Sequence, residues 1–288
     1  MDDSNIVIIG SKGQLGKALQ AKYPNARGVD ADELDITDLA QMNAFDWSGV
    51  SVILNAAAYT NVDGAETPEG RVAAWAVNGA APGNLANIAL SNDITLVHIS
   101  TEYVFDGTKT PHVEDEPFSP LGVYGQAKAA GDIAVSLAPK HYILRTSWVI
   151  GDGNNFVRTM LGLGKKGISP TVVGDQIGRL TFTSELVRAI DHLLTAQAAY
   201  GTYNLSNGGE SASWADITRE IFKLGGFTEL TVTDTSTEEY FASKPEAAPR
   251  PLQSTMDLSK IEATGFTLTD WQTELKAYIE NESQGEQA

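Results

Sequence analysis

Tyr124 and Lys128 stand four residues apart in Tyr124-Gly-Gln-Ala-Lys128, one turn from each other on one face of a helix. An ammonium beside a phenol favours the phenolate and lowers its pKa. A phenol tuned in this way can pass a proton near neutral pH, the step that carbonyl reduction needs. Upstream, the apolar run Ile94–Ile99 has the length and composition of a strand. Thr101 follows it and sets a hydroxyl at the strand's end, where a substrate oxygen can be held. Tyrosine and lysine at this spacing also occur in ordinary amphipathic helices, so the pair gains meaning only from the elements that position it.

Those elements begin at the N-terminus. Asn5–Ile9 is a continuous apolar run, as expected of a strand buried on both faces of a parallel sheet. It leads into Gly10-Ser-Lys-Gly13-Gln-Leu-Gly16 and then the helical stretch Lys17–Lys22. Gly10 allows the tight turn, Gly13 lets a pyrophosphate approach the helix N-terminus, and Gly16 allows close packing of helix on strand. A plain turn with a packing contact would use the same three glycines; the strand–turn–helix context favours the nucleotide. Asp30, about twenty residues after Gly10, is placed to meet an adenosine ribose and would favour NADH by repelling a 2′-phosphate. Lys12 would attract that phosphate, which leaves NADPH or NADH open. Asp35 and Ile36 follow, a side chain and a backbone placed to bracket an adenine, whereas Asp32 and Glu33 read as solvated.

Val52–Asn55 is a third strand, leaving through Ala56, Ala57, Ala58, Tyr59 and Thr60. The small residues would let a flat cofactor lie against the backbone, or serve close packing. Glu66–Ser91 reads as one or two helices broken near Gly79 and Pro82. Strands over 94–99 and 142–146 complete the set, the latter ending in Ser147-Trp148. Alternating strands and helices imply an α/β fold, a doubly wound parallel Rossmann sheet with right-handed crossovers. Ligands then sit at the carboxyl ends of the strands, where every segment named above lies.

Beyond Gly151, helices are expected over 154–166 and 184–197, with strands over 171–173 and 202–206. A helix capped by Ser211 or Ser213 ends near Gly225-Gly226. Residues 234–255 read as a long loop, Thr269–Glu280 as the last helix, and 283–288 as disordered. The expected division is a dinucleotide-binding domain over 1–150, with about 183–206 packing back on it. A smaller substrate-binding lobe is expected over 151–182 and 207–288.

The net charge of −17 and the lack of a Lys/Arg cluster argue against a nucleic-acid binder. No apolar run reaches membrane-span length, and the acidic start MDDSN does not suit a signal peptide. With no cysteine there is neither disulfide nor thiolate metal site, which fits a cytoplasmic protein. The histidines His98, His112, His141 and His192 lack metal-ligand spacing and read as structural or solvated; no metal ligands are assigned.

With these residues assembled, the chain resembles the extended short-chain dehydrogenases/reductases. More narrowly, it is similar to the dTDP-4-dehydrorhamnose reductase family. The motifs are GSKGQLG at 10–16, LNAAAYTNVDGAE at 54–66, STEYVFDG at 100–107, YGQAK at 124–128, RTSWVIGDGNNF at 145–156, GDQIG at 174–178 and RPLQSTMD at 250–257. The resemblance implies reduction of the 4-keto group of dTDP-4-dehydro-L-rhamnose by NADPH or NADH, with Thr101, Tyr124 and Lys128 as the catalytic set. It implies that Gly13, Gln14 and Leu15 hold the pyrophosphate and that Asp30, Asp35 and Ile36 line the adenosine site. Ala58, Tyr59 and Thr60 would lie against the cofactor. Thr60, Val62, Thr101, Glu102, Tyr103 and Trp148 would line the nucleotide-sugar pocket. Arg250 is the foremost phosphate contact, against the alternative of a surface arginine, and Asn155 and Gln176 are weaker candidates.

Two positions depart from the family pattern: Glu102 replaces aspartate, which leaves that carboxylate's role open, and Leu180 replaces proline, which implies an altered loop. Some family members are metal-bridged dimers. A homodimer with an interfacial Mg2+ therefore stands as an expectation, as does fusion or complex with the upstream epimerase; the acidic tail Glu280–Glu286 could bind a cation but reads as solvated. The rival readings are a nucleotide-sugar epimerase or dehydratase on the same scaffold, and a non-catalytic regulatory subunit resembling that of methionine adenosyltransferase.

Overall fold

The computed structural model describes residues 2–285. Four-residue apolar runs form strands buried throughout: β1 (Ile6–Ile9) and β3 (Val52–Asn55), with the short β2 (Arg27–Val29) beside β1. β4 (Thr95–Thr101) and β5 (His141–Thr146) follow. Between them run α1 (Gln14–Lys22), α2 (Leu39–Ala44), α3 (Pro68–Ala74), α4 (Ala81–Ser91) and α5 (Val123–Val135). The second half contributes β6 (Val149–Ile150), α6 (Phe156–Lys165), β7 (Thr171–Val173), β8 (Ile177–Gly178), β9 (Thr181–Phe182), α7 (Thr183–Thr195) and β10 (Gly201–Asn204). It ends with β11 (Ala212–Ser213), α8 (Trp214–Leu224), β12 (Thr233–Thr235), α9 (Thr237–Phe241), α10 (Ser259–Glu262) and α11 (Trp271–Gly285).

One six-stranded parallel sheet, ordered β10-β5-β4-β3-β1-β2, organises the chain. Alternate side chains on a strand face opposite sides, so Ile6 and Ile8 enter a core with Leu19 of α1 and Leu186 and Ile190 of α7. Val7 and Ile9 enter the opposite core with Leu85 of α4 and Val135 of α5. This is the doubly wound α/β sheet that the strand–helix alternation predicts. The strand order reverses between β1 and β3, and a ligand crevice forms at such a reversal. A separate core holds Ile150, Val157, Leu180, Phe182, Ile221 and Leu275.

Several boundaries differ from expectation. No break occurs near Gly79 and Pro82. A wider π-helical turn, Trp75–Ala80, joins α3 to α4, and Pro82 lies in α4's first turn, where its missing N–H costs nothing. The expected loop over 234–255 contains α9, begun by a Ser236/Glu239 capping box, and starts with β12 paired to β7. Ser283–Gly285, expected to be disordered, continue α11, and 286–288 lie outside the described residues. Leu180 is fully buried, so an apolar contact fills the position where proline was expected. Among the described residues no helix is long and apolar enough to cross a membrane.

Candidate active site

The reversal point is built first by close backbone contact. Gly10 adopts φ 78°, and a Cβ there would stand 2.7 Å from the Ala57 nitrogen. A Cβ on Gly16 would stand 2.0 Å from the Gly10 carbonyl oxygen. Gly13, the N-cap of α1, offers no side-chain cap, so the first-turn N–H groups are left for an anion. The Gln14 Oε1 is buried without a hydrogen-bond partner. Free first-turn donors and glycine at Gly10, Gly13 and Gly16, where the backbone is approached closely, fit a dinucleotide's pyrophosphate at Gly13–Gly16. Gly16→Ala is expected to weaken NADPH binding about a hundredfold, because the helix must move off the turn; fluorescence titration with NADPH measures it.

Asp30 braces this turn: its Oδ2 accepts from the Lys12 N–H (3.0 Å) and its Oδ1 from the Ala31 N–H (2.9 Å). The Lys12 ammonium is not free but pairs with Asp32 at 2.6 Å, so Asp32 is not merely solvated. Asp35 accepts from the Thr37 N–H and hydroxyl. The Ile36 side chain is buried in the core, and its carbonyl accepts from Asn84 Nδ2 at 3.3 Å.

The loop Ala56–Thr60 leaves β3 beside the turn. Asn78, from the π-helical turn, clamps it: its Oδ1 accepts from the Tyr59 N–H and its Nδ2 donates to the Tyr59 carbonyl, both at 2.9 Å. Sequence reasoning did not single out Asn78, and only its place beside Gly79 at the expected helix break hinted at it.

Thr101 ends β4 in register with Thr146 of β5, which is why the strand runs two residues past its expected end. α5 begins at Val123, whose N–H donates to Glu66 Oε1 at 2.8 Å in place of a local cap. A Cβ on Gly125 would stand 2.2 Å from the Tyr103 carbonyl oxygen, so glycine lets α5 lie directly on the turn after Thr101. Tyr124 is thereby brought to the Thr101 hydroxyl. Lys128, one turn on and 2% exposed, donates to the Ile99 carbonyl at 2.6 Å. One strand end thus anchors all three side chains.

The electrostatics differ from the sequence expectation. Burial, then the Glu102 charge, raise the Tyr124 phenol above its ordinary value, while the neighbouring Thr101 hydroxyl acts to lower it. Burial brings Lys128 down to about 8, opposed by Asp132. Desolvation and the Glu102 charge hold the phenol up, where the sequence predicts that its lysine neighbour pulls it down. Asp132, buried behind Lys128, is paired with Arg145 at 2.9 Å. Asp132 was also missed, although it lies one turn beyond Lys128 on the same helix face. His98 is neutral: burial, then Lys128, hold it well below its usual range, and its Nδ1 meets Asn55 Nδ2 at 3.0 Å.

Tyr103 meets Tyr124 edge-on, with ring centroids 5.7 Å apart. Val62, Tyr103, Tyr124, Pro249 and Pro251 line one narrow cleft. Arg250 latches its rim, donating to Asp63 Oδ1 (2.8 Å) and the Ala248 carbonyl (2.7 Å), so its guanidinium is already paired. Thr60 is exposed nearby in sequence. Trp148 adopts φ 45°, a strained conformation for a bulky residue. Its ring stacks on Trp214 at 3.8 Å, a partner the sequence did not suggest. Asn155 stands at the start of α6. Its Oδ1 caps α6 and its Nδ2 donates to Gly151, Gly153 and Tyr278, because the α6 N-terminus needs those bonds. Gln176 donates to Thr237.

Among the described residues no three His, Asp or Glu are gathered as a metal site. In the acidic tail Glu282 pairs with Arg158, and Glu286 lies outside the described residues, so nothing supports the expected Mg2+.

A parallel sheet with a glycine turn at its reversal point, facing a Thr–Tyr–Lys set, defines a nicotinamide-dependent oxidoreductase of the extended short-chain type. The family model described as "RmlD substrate binding domain" matches residues 4–284. A dTDP-4-dehydrorhamnose reductase of Aggregatibacter actinomycetemcomitans is 37% identical, covering 96% of this chain and 100% of its own length. A crystal structure of such a reductase from Clostridium acetobutylicum matches with a TM-score of 0.89 at 38% identity, over 96% of this chain and 99% of the other. One from Bacillus anthracis, in complex with NADP, gives 0.85 at 35% identity, over 96% and 98%. The chain belongs to the dTDP-4-dehydrorhamnose reductase family.

Proposed function

We propose that this protein reduces the 4-keto group of dTDP-4-dehydro-L-rhamnose to give dTDP-L-rhamnose, in the cytoplasm. The observation that carries this is the meeting of Thr101, Tyr124 and Lys128 at the end of β4, beside a turn with room and donors for a dinucleotide. Reduced nicotinamide supplies the hydride. Tyr124 gives its proton to the oxygen that becomes an alkoxide; burial keeps the phenol protonated, so it arrives loaded. Lys128, fixed on Ile99, holds the cofactor ribose. Thr101 holds the keto oxygen. The residues over 151–182 and 207–255, with α11, form the lobe that clamps the nucleotide-sugar, with Trp148 at its junction and the Arg250–Asp63 latch on the cleft, while Met256, Leu258, Ile261 and Phe266 pack back into the sheet core.

Both cofactors are usable in this reading. Lys12 is half-neutralised by Asp32, while the Asp30 charge lies next to the ribose position. Removing one charge at that distance changes binding by about 1.4 kcal/mol, or tenfold. Asp30→Asn is expected to raise the NADPH-to-NADH ratio of kcat/KM about tenfold, which parallel rates with the two cofactors measure. The function itself is tested by loss of reduced-nicotinamide absorbance on adding dTDP-4-dehydro-L-rhamnose. One cofactor oxidised per sugar supports the reading, and no oxidation by protein that binds NADPH contradicts it.

A further inference from the structure

Glu102 is a carboxyl group that the reduction so far leaves without a task. It is 2% exposed. Its Oε2 accepts a hydrogen bond from the Thr101 hydroxyl at 2.9 Å, and its Oε1 is buried with no hydrogen-bond partner. The Thr101 oxygen in turn accepts from the Tyr103 N–H at 3.2 Å and lies against the Tyr124 hydroxyl.

A threonine hydroxyl has one proton to give. While that proton points at an ionised Glu102, Thr101 has none for a substrate oxygen. A protonated Glu102 can instead donate to Thr101, whose own proton is then released toward Tyr124 and the keto oxygen. Only the direction of the hydrogen bonds changes, and every proton is accounted for. Resting on the reduction proposed above, we infer that Glu102 is a positioning residue whose protonated form turns the Thr101 hydroxyl toward the keto oxygen.

The surroundings suit this. Burial raises Glu102 to about 7, with hydrogen bonds from Thr101 and its own backbone opposing. Both forms are therefore populated near neutrality. The titratable groups facing it are the Tyr124 and Tyr103 phenols, both raised in part by its charge. The Arg250–Asp63 pair faces the same Tyr103, and Ser254 approaches from the loop beyond. An ionised Glu102 therefore weakens the site twice, by taking the Thr101 proton and by making Tyr124 a poorer acid.

The test is kcat from about pH 5.5 to about 8.5 for the wild type, Glu102→Gln and Tyr124→Phe. The wild-type rate is expected to fall toward tenfold per unit above about pH 7. Glu102→Gln, which cannot ionise, is expected to lose several-fold in rate yet to be flat within about threefold across the window. Lys128 is present in both proteins, so a break that survives in Glu102→Gln belongs to it and overturns the inference, as does a flat wild-type profile. Were Glu102→Gln unable to bind NADPH, the infrared spectrum of glutamate-labelled wild type decides. A protonated-carboxyl band lost on titration through about pH 7 supports the inference, and its absence at pH 6 overturns it. If Tyr124→Phe keeps its rate, the reduction mechanism itself fails, independently of Glu102.

Discussion

Tyr124→Phe is expected to lose about a thousandfold in kcat while its affinity for NADPH stays within about twofold. General acid catalysis by a positioned side chain contributes 10²–10⁴-fold, and only the hydroxyl against Thr101 is removed. The ring keeps its edge-on contact with Tyr103 and its place in the small cluster with Val123 and Ala127, so the fold has little reason to change. Steady-state rates with saturating sugar, beside a fluorescence titration with NADPH, separate the two quantities. A parallel loss of cofactor affinity would show that the phenol acts by holding the cofactor and not by giving a proton.

The largest stability effect is expected behind the site. Asp132 is buried against Lys128 and neutralised by the Arg145 Nε at 2.9 Å. Arg145 also donates to the Glu114 carbonyl and lies over the rings of Phe105 and Phe118. Arg145→Met keeps much of the volume but leaves a buried carboxylate unpaired, a loss of about 3–5 kcal/mol. For a chain of this size that lowers Tm by about 5–8 °C. Asp132→Asn added to Arg145→Met removes the stranded charge and is expected to restore about half the loss. Thermal melts of the single and double variants measure both. If the double variant is no more stable than Arg145→Met, the loss comes from the arginine's packing over Phe105 and Phe118.

The sheet and the meeting of Thr101, Tyr124 and Lys128 are legible in the sequence because each rests on local rules. A buried parallel strand shows as a short apolar run, as Ile6–Ile9 and Val52–Asn55 do, and a residue four places on lies one turn away. Tyr124 and Lys128 therefore showed their spacing, and Thr101 its strand end. What was not legible depends on residues distant in sequence. The phenol's environment is set by desolvation and by Glu102, which no spacing displays. The Trp148–Trp214 stack, the Arg250–Asp63 latch and the Asn78 clamp each join separate loops. Arg250 reads from the sequence as a phosphate ligand or a surface residue, and its pairing with Asp63, far away along the chain, shows only in the fold. α9 is hard to read for another reason: its Ser236/Glu239 capping box starts a helix of five residues with no buried side chain, so no apolar periodicity marks it.

The central claim is a net reduction at the sugar C4 with Tyr124 as proton donor. Its most direct test is reaction with NADPH carrying deuterium at the transferable position, with the sugar product examined by NMR. Deuterium at C4 of dTDP-L-rhamnose, with one cofactor oxidised per product, is the predicted result. A product without deuterium, or a turnover that leaves the cofactor reduced, would contradict it and return the chain to an epimerase or dehydratase chemistry on the same sheet.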